Sequence, residues 1–338
     1  MTLKRLALVV LLVGFGAGGA EADRTAYPLA LENCGRSLQF EVAPERVVSV
    51  GQSASELLFA LGLADRVVGT AVWFTEVLPQ YQAVNDGIER LADNDPSFES
   101  ILAKRPQLVI AQYEWHIGPQ GSVATREQFA DLGIASYILP ADCVGKDNSG
   151  GGDGTRVTAF SMDSIYRAIR ELGAIFDVKE RGAALISDME ARQRAAVDRA
   201  AQLRDQDLSA VVWFSSPDKD SDAYVAGQKG VPGFMLKALG IRNVVESDEE
   251  WPLVGWETIA RANPDVIVIA RMDRRRFPLD DYRAKLEFLR DDPVTGKLDA
   301  VVQDRIVIVD AQALEPSTRI TGGLEAIAAG LEELGLTQ

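Results

Sequence analysis

Two stretches of this 338-residue chain recur in the same order, and that repetition constrains the fold more than any other feature of the sequence. Leu58-Phe-Ala-Leu-Gly62-Leu, followed by Arg66-Val-Val, is echoed by Leu236-Lys-Ala-Leu-Gly240-Ile, followed by Asn243-Val-Val. Each reads as a helix stopped by a glycine, where the left-handed conformation is cheapest, leading into a strand. Further on, Glu99-Ser-Ile-Leu-Ala-Lys-Arg-Pro106-Gln-Leu-Val-Ile is matched by Glu257-Thr-Ile-Ala-Arg-Ala-Asn-Pro264-Asp-Val-Ile-Val. In both copies the glutamate stands seven residues before the proline. Two paired elements in one order predict two similar lobes.

The units between these landmarks alternate. Arg46–Val50, Arg66–Ala71, Leu108–Ala111, Val211–Phe214, Val266–Ala270 and Arg305–Val309 are apolar, β-branched runs that read as buried strands. Helical spacing appears between them, at Ser53–Leu61, Phe98–Lys104, Arg126–Leu132, Phe234–Leu239 and Thr258–Ala262. Alternation of this kind predicts an α/β architecture with mostly parallel sheets.

The middle of the chain changes character. No proline occurs from Ala141 to Ser216, and Gly173 and Gly182 are the only glycines from Met162 to Leu203. Leu185, Ile186, Met189, Ala196, Val197, Ala200 and Leu203 recur at helical spacing among charged residues. One connecting helix from about Glu180 to Leu203 would run roughly 36 Å. Such a strut is stiff and allows the lobes only a slight tilt around a ligand. The expected organisation is an amino-terminal lobe over 23–178, the connecting helix over 179–204 and a carboxy-terminal lobe over 205–338.

Residues 1–22 read as a signal peptide. Lys4 and Arg5 form a basic start, Leu6 to Phe15 an apolar run, and Ala20-Glu21-Ala22 fits the cleavage pattern, with the cut after Ala22. The apolar run is shorter than the roughly 20 residues a spanning helix needs. Export leaves 316 residues and takes the net charge from −15 to −16 by removing Lys4, Arg5 and Glu21. So acidic a chain is a poor partner for nucleic acid or an anionic membrane surface. Cys34 and Cys143 are bound for an oxidising compartment, so a structural disulfide is the simple reading, two buried thiols the other.

With these parts assembled, the chain resembles the helical-backbone substrate-binding proteins of ABC importers for ferric siderophores, cobalamin and haem. Cys34-Gly-Arg and Ala43-Pro-Glu-Arg-Val-Val-Ser-Val-Gly51 look like that family's first strand and its lead-in. Glu56-Leu-Leu-Phe-Ala-Leu-Gly-Leu-Ala-Asp-Arg-Val-Val-Gly69 resembles the helix and strand that follow. Pro106-Gln-Leu-Val-Ile and Pro264-Asp-Val-Ile-Val match its recurring strand entries, Gln107 departing from the usual acid. The resemblance implies a monomeric periplasmic protein with a cleft between the lobes, which takes a metal chelate, a ferric siderophore first, and needs no cofactor of its own. It also implies that Glu99 and Glu257 dock the two lobes onto basic residues of an ABC permease dimer. A carboxylate in the first turn is favoured by the helix dipole in any case, so the bare residue also suits a purely structural role.

In open α/β sheets ligands bind beyond the carboxyl ends of the strands. The residues that follow the strands here are aromatic: Trp73 and Phe74, Tyr113 and Trp115, then Tyr224 and Trp251. These suit a flat or bulky chelate with apolar patches. Trp213 and Phe214 lie inside a strand and read better as core. Cationic candidates are Arg126, Arg271 and Arg319, since guanidinium groups grip anionic chelates. The run Arg274 to Arg276 reads as a solvated face. His116 is the only histidine, a possible ligand contact close to Glu114, and its solitude excludes a His-rich zinc site. The Asp- and Gly-rich loop from Asp142 to Thr155 lacks the spacing of a calcium loop and the Lys-Ser or Lys-Thr of a phosphate loop. Two other classes share such an architecture: a metallocluster or chelatase-type enzyme, and a ligand sensor facing a signalling receptor.

Overall fold

The computed structural model describes residues 24–150, 154–201 and 207–336. The leader expected over residues 1–22 lies outside them. The chain forms two α/β lobes, each built on a sheet whose central strands are parallel. In the amino-terminal lobe, Val47–Val50 lies at the centre, between Val67–Ala71 and Leu108–Ala111. Arg90–Ala92 and Ala135–Ile138 form the two edges, and every neighbouring pair is parallel. All four residues of Val47–Val50 and of Leu108–Ala111 are buried, as strands covered on both faces must be.

In the carboxy-terminal lobe Ser209–Ser215 and Val266–Arg271 run parallel at the centre, and Ile306–Asp310 continues the parallel set. Arg242–Asn243 adds a short parallel pairing to Ser209–Ser215. Ala223–Val225 and Leu253–Val254 extend the other side in antiparallel fashion. In each sheet the chain first builds to one side of its central strand and then reverses. The reversal falls between Val47–Val50 and Leu108–Ala111 in one lobe, and between Ser209–Ser215 and Val266–Arg271 in the other. A crevice opens at such a point because the connections leave in opposite directions.

The repeated segments adopt repeated conformations. Gly62 and Gly240 close their helices with φ of 70° and 76°, values a Cβ would penalise. Helix Phe98–Ala103 and helix Trp256–Ala262 are each followed by a left-handed residue, Arg105 at φ 48° and Asn263 at φ 43°. Each then meets its proline and enters a central strand.

The connecting helix spans Lys179–Ala200, and residues 202–206 beyond it are not described. It buries Gly182, Met189, Ala196 and Ala200, spaced to share one face. That face packs on helices Asp163–Ile175 and Ile320–Glu333. Arg192 donates to both carboxylate oxygens of Glu325 at 2.8 and 2.6 Å, and Arg181 caps the carbonyls of Leu61 and Gly62. One apolar core runs without interruption from Leu38 in the first lobe through Met189 of this helix to Leu336 in the second. The outer face of each sheet has its own smaller core. None of the described helices is long and apolar enough to cross a membrane.

A hairpin, Leu29–Asn33 with Arg36–Phe40, turns through Cys34 and Gly35, both at positive φ, and lies against the first lobe. Cys34 is bonded to Cys143, with Cα atoms 5.6 Å apart. The loop beyond Cys143 forms a second short hairpin, Lys146–Asp147 with Thr155–Arg156. It leans across to the other lobe, where Arg156 Nε meets Glu250 at 2.8 Å.

Candidate ligand-binding cleft

The carboxyl ends of the two sheets face each other across a cavity of about 460 Å³. Phe74, Thr75 and Tyr113 form its amino-terminal wall, following the strands that end at Ala71 and Ala111. Opposite them stand Phe214, Tyr224 and Trp251, with the Phe214 and Trp251 rings 4.5 Å apart. Met272, Arg274, Arg276 and Phe277 close one side, on the loop after Val266–Arg271. Ser215, Asp280, Ala311 and Gln312 make the buried floor, and Glu315 completes the lining.

Arg274 spans the two lobes. Its backbone N–H donates to the Phe74 carbonyl at 3.2 Å, and its guanidinium to the carbonyls of Trp73 and Asp93 at 2.9 and 2.6 Å. Below the cavity Arg319 makes a further crossing. Arg319 Nε donates to Glu56 Oε2 at 2.7 Å and Nη2 to Glu56 Oε1, while Nη1 lies 3.3 Å from Asp310. The Arg319 and Glu56 side chains are only 7% and 1% exposed. The Asp280 carboxylate accepts from the Ser215 hydroxyl and from the N–H groups of Arg276 and Phe277, at 2.6 and 2.8 Å for the latter two. Gln312, part of the floor, keeps a buried Oε1 with no hydrogen-bond partner among the described residues.

The residues singled out from sequence fall into three groups. Phe74, Tyr113, Tyr224 and Trp251 meet at the cavity. Trp115 stacks on Tyr113 at 3.9 Å, behind the wall, and lines a separate hollow of about 340 Å³ with Glu114 and Lys146 to Ser149. The remaining five lie off the cavity lining. Trp73 turns its ring into the core, where Nε1 donates to Thr70 at 3.2 Å and Arg90 lies over the face. His116 is buried, with Nε2 3.3 Å from Asp95, and this hydrogen bond holds the Asp95 carboxyl below its ordinary range. Arg126 is buried and fixes the hairpin, donating to Asn33 O at 2.9 Å and Ser136 O at 2.7 Å; burial pushes its pKa down to about 10. Arg271 is half-exposed beside Asp310, and Arg319 is held by Glu56.

Sequence reasoning took Phe214 for core, whereas it stands in the cavity wall, and passed over Met272, Arg274, Arg276, Phe277, Asp280 and Gln312 as cavity residues. A signal was present for Met272 and Gln312, which stand within two residues of strand ends, but an arginine run reads first as a solvated face. Trp213 and Trp256, by contrast, pack edge to face at 4.7 Å in the outer core of the second lobe. No group of three or more His, Cys, Asp or Glu side chains is placed to hold a metal ion among the described residues. Glu99 and Glu257 both stand exposed in the first turns of their helices, at equivalent corners of the two lobes.

Two α/β lobes on a helical strut, facing each other across an aromatic cleft, define the architecture of a two-lobed binding protein. The chain belongs to the periplasmic binding protein family, whose sequence model matches residues 47–313. An uncharacterized ABC transporter substrate-binding lipoprotein of Bacillus subtilis is 23% identical over 331 residues, which is 96% of this chain and 93% of that protein. A vitamin B12-binding protein of Pectobacterium carotovorum is 23% identical over 234 residues, covering 67% of this chain and 71% of its own length. Among solved structures, one described as an ABC-type Fe3+-hydroxamate transport system from Saccharomonospora viridis matches with a TM-score of 0.70 at 25% identity, over 90% of this chain and 99% of that one.

Proposed function

We propose that this chain is the substrate-binding component of an ABC importer, and that it carries a metal chelate through the periplasm to a permease dimer. A ferric siderophore is the first candidate, with cobalamin or haem in the same role as the alternatives. In this reading 23–178 and 205–338 are the ligand-gripping lobes, 179–204 is the strut, and 1–22 is a leader removed on export. The observation that carries it is the cleft itself. Aromatic rings from both lobes face a gap of about 460 Å³, and an arginine, Arg276, has no carboxylate partner among the described residues. Such a lining suits a bulky chelate with apolar faces and at least one polar or charged edge. Relatives named for vitamin B12 and for ferric hydroxamate transport support the ligand class.

Native mass spectrometry of the protein secreted by its own host tests the reading, by catching the ligand that travels with it. The expected result is an added mass with the isotope signature or visible absorbance of a metal complex. A protein that leaves its host empty, and whose tryptophan emission ignores ferric hydroxamates, ferric catecholates, cobalamin and haem alike, is not a chelate carrier.

A further inference from the structure

Lys285 sits directly under the cleft and is 0% exposed. It belongs to helix Tyr282–Asp291, and its Nζ donates to Ala270 O at 2.8 Å and to Phe214 O. Those carbonyls lie near the ends of two neighbouring strands, and the Phe214 ring is part of the cleft wall. The face of the Trp213 indole is 5.5 Å away. Among the described residues no carboxylate forms an ion pair with this ammonium. Asp280 and Asp281 are the charged groups that act on it through space, while the two strands present only carbonyls and the indole. A buried ammonium without a bonded counter-ion is uncommon, because removal from water is repaid only by a partner.

The nearest compensation is on the cleft side. Asp280 is 2% exposed, lines the cavity floor, and has both oxygens occupied by the Ser215 hydroxyl and two N–H groups. Its hydrogen bonds hold it in place but do not remove its charge. We propose that Lys285 is a positioning residue for ligand choice, acting through Asp280: its buried ammonium cancels the Asp280 carboxylate in the floor and so opens the cleft to an anionic ligand. The proposal rests on the reading of this cleft as the ligand site. With the floor neutral, the Arg274 and Arg276 guanidinium groups outnumber the Glu315 carboxylate among the charged side chains of the lining. With Lys285 uncharged, a buried negative charge faces whatever enters. Burial pushes the Lys285 pKa from 10.5 down to about 7, against the opposing pull of Asp280 and Asp281, so the change of state falls near neutral pH.

A matched pair of fluorescent probes separates charge from shape without knowledge of the natural ligand. 1-Anilinonaphthalene-8-sulfonate is an aromatic anion at every pH of interest, and N-phenyl-1-naphthylamine is the same body without the sulfonate. Binding of each to the intact protein is titrated at roughly pH 6 and roughly pH 8.5, on either side of the Lys285 transition. The anionic dye should lose about tenfold in affinity between the two, and the neutral dye should not change. Lys285→Met should hold the anionic dye at the weaker value at both pH values, and adding Asp280→Asn should restore the tighter one. If both dyes weaken together, or if Asp280→Asn repairs nothing, Lys285 only supports the fold and the proposal fails. It fails equally if the anionic dye does not bind the parent protein near pH 6. Ferric chelates are then added as competitors. Displacement of the dyes supports the chelate reading; dyes that obey the charge rule yet resist every chelate would sink that reading while leaving the role of Lys285 in place.

Discussion

Arg319 and Glu56 meet across the seam between the lobes, 263 positions apart in the chain, and both are shut off from water. Breaking such a pair from one side leaves an uncompensated buried charge. Arg319→Met should therefore destabilise the protein by about 3–5 kcal/mol, read from the midpoint of urea unfolding. Replacing both partners, Arg319→Met with Glu56→Leu, should recover most of the loss, because the desolvation of each charge disappears with it. From sequence, Arg319 read as a ligand clamp; no local spacing links it to Glu56, so its actual partner was invisible. Trp73 and Phe74 teach the same lesson at closer range. Both follow one strand end, yet the left-handed Val72 turns the chain just before them, and only Phe74 reaches the cavity. Lys285 gives a pH prediction of its own. The folded protein releases this proton near pH 7, whereas the unfolded chain keeps it to about 10.5. Between those values the unfolded state binds more protons, so stability should rise with pH across that window, and Lys285→Met should flatten the slope.

At the scale of elements, the central strands were legible because they are covered on both faces and so read as unbroken β-branched runs. The edge strands Arg90–Ala92 and Leu253–Val254, and Ala223–Val225 beside the latter, were not, being short and chemically mixed. The amino-terminal hairpin was also missed, although its turn at Cys34-Gly35 needs the left-handed residues that a glycine announces. That hairpin is pinned by the Cys34–Cys143 bond, by Arg126, by Arg167 and by paired hydrogen bonds between Asn33 and Ile138. The bond closes a sequence separation of 109 residues, for which chain entropy gives about 4–5 kcal/mol. The Cys34→Ser, Cys143→Ser double variant should lose stability of that order in urea unfolding, with its hairpin still held by the Arg126 hydrogen bonds. A loss below about 1 kcal/mol would show that the unfolded chain is little constrained by the bond.

Across the whole molecule, the twofold repeat places Glu99 and Glu257 at equivalent exposed corners, as a docking pair for a twofold permease would require. Charges at an interface rim govern encounter and salt sensitivity more than the fold. The double reversal Glu99→Arg, Glu257→Arg should leave ligand affinity unchanged and cut uptake by whole cells at least tenfold, at equal protein level. Uptake at the parent rate would remove these carboxylates from the docking surface. The long shared core has a different consequence, one for biogenesis. The last helix, Ile320–Glu333, supplies Ile320, Leu324, Ile327 and Leu331 to the same apolar body that holds Leu38 and Val47. The second lobe's inner sheet face therefore lacks its cover until this helix packs on Ile306–Asp310. Contacts of such long sequence separation form slowly. Completion of the second lobe thus waits on the carboxy-terminal helix, and a chain shortened by that helix should lose the protease resistance of its second lobe first.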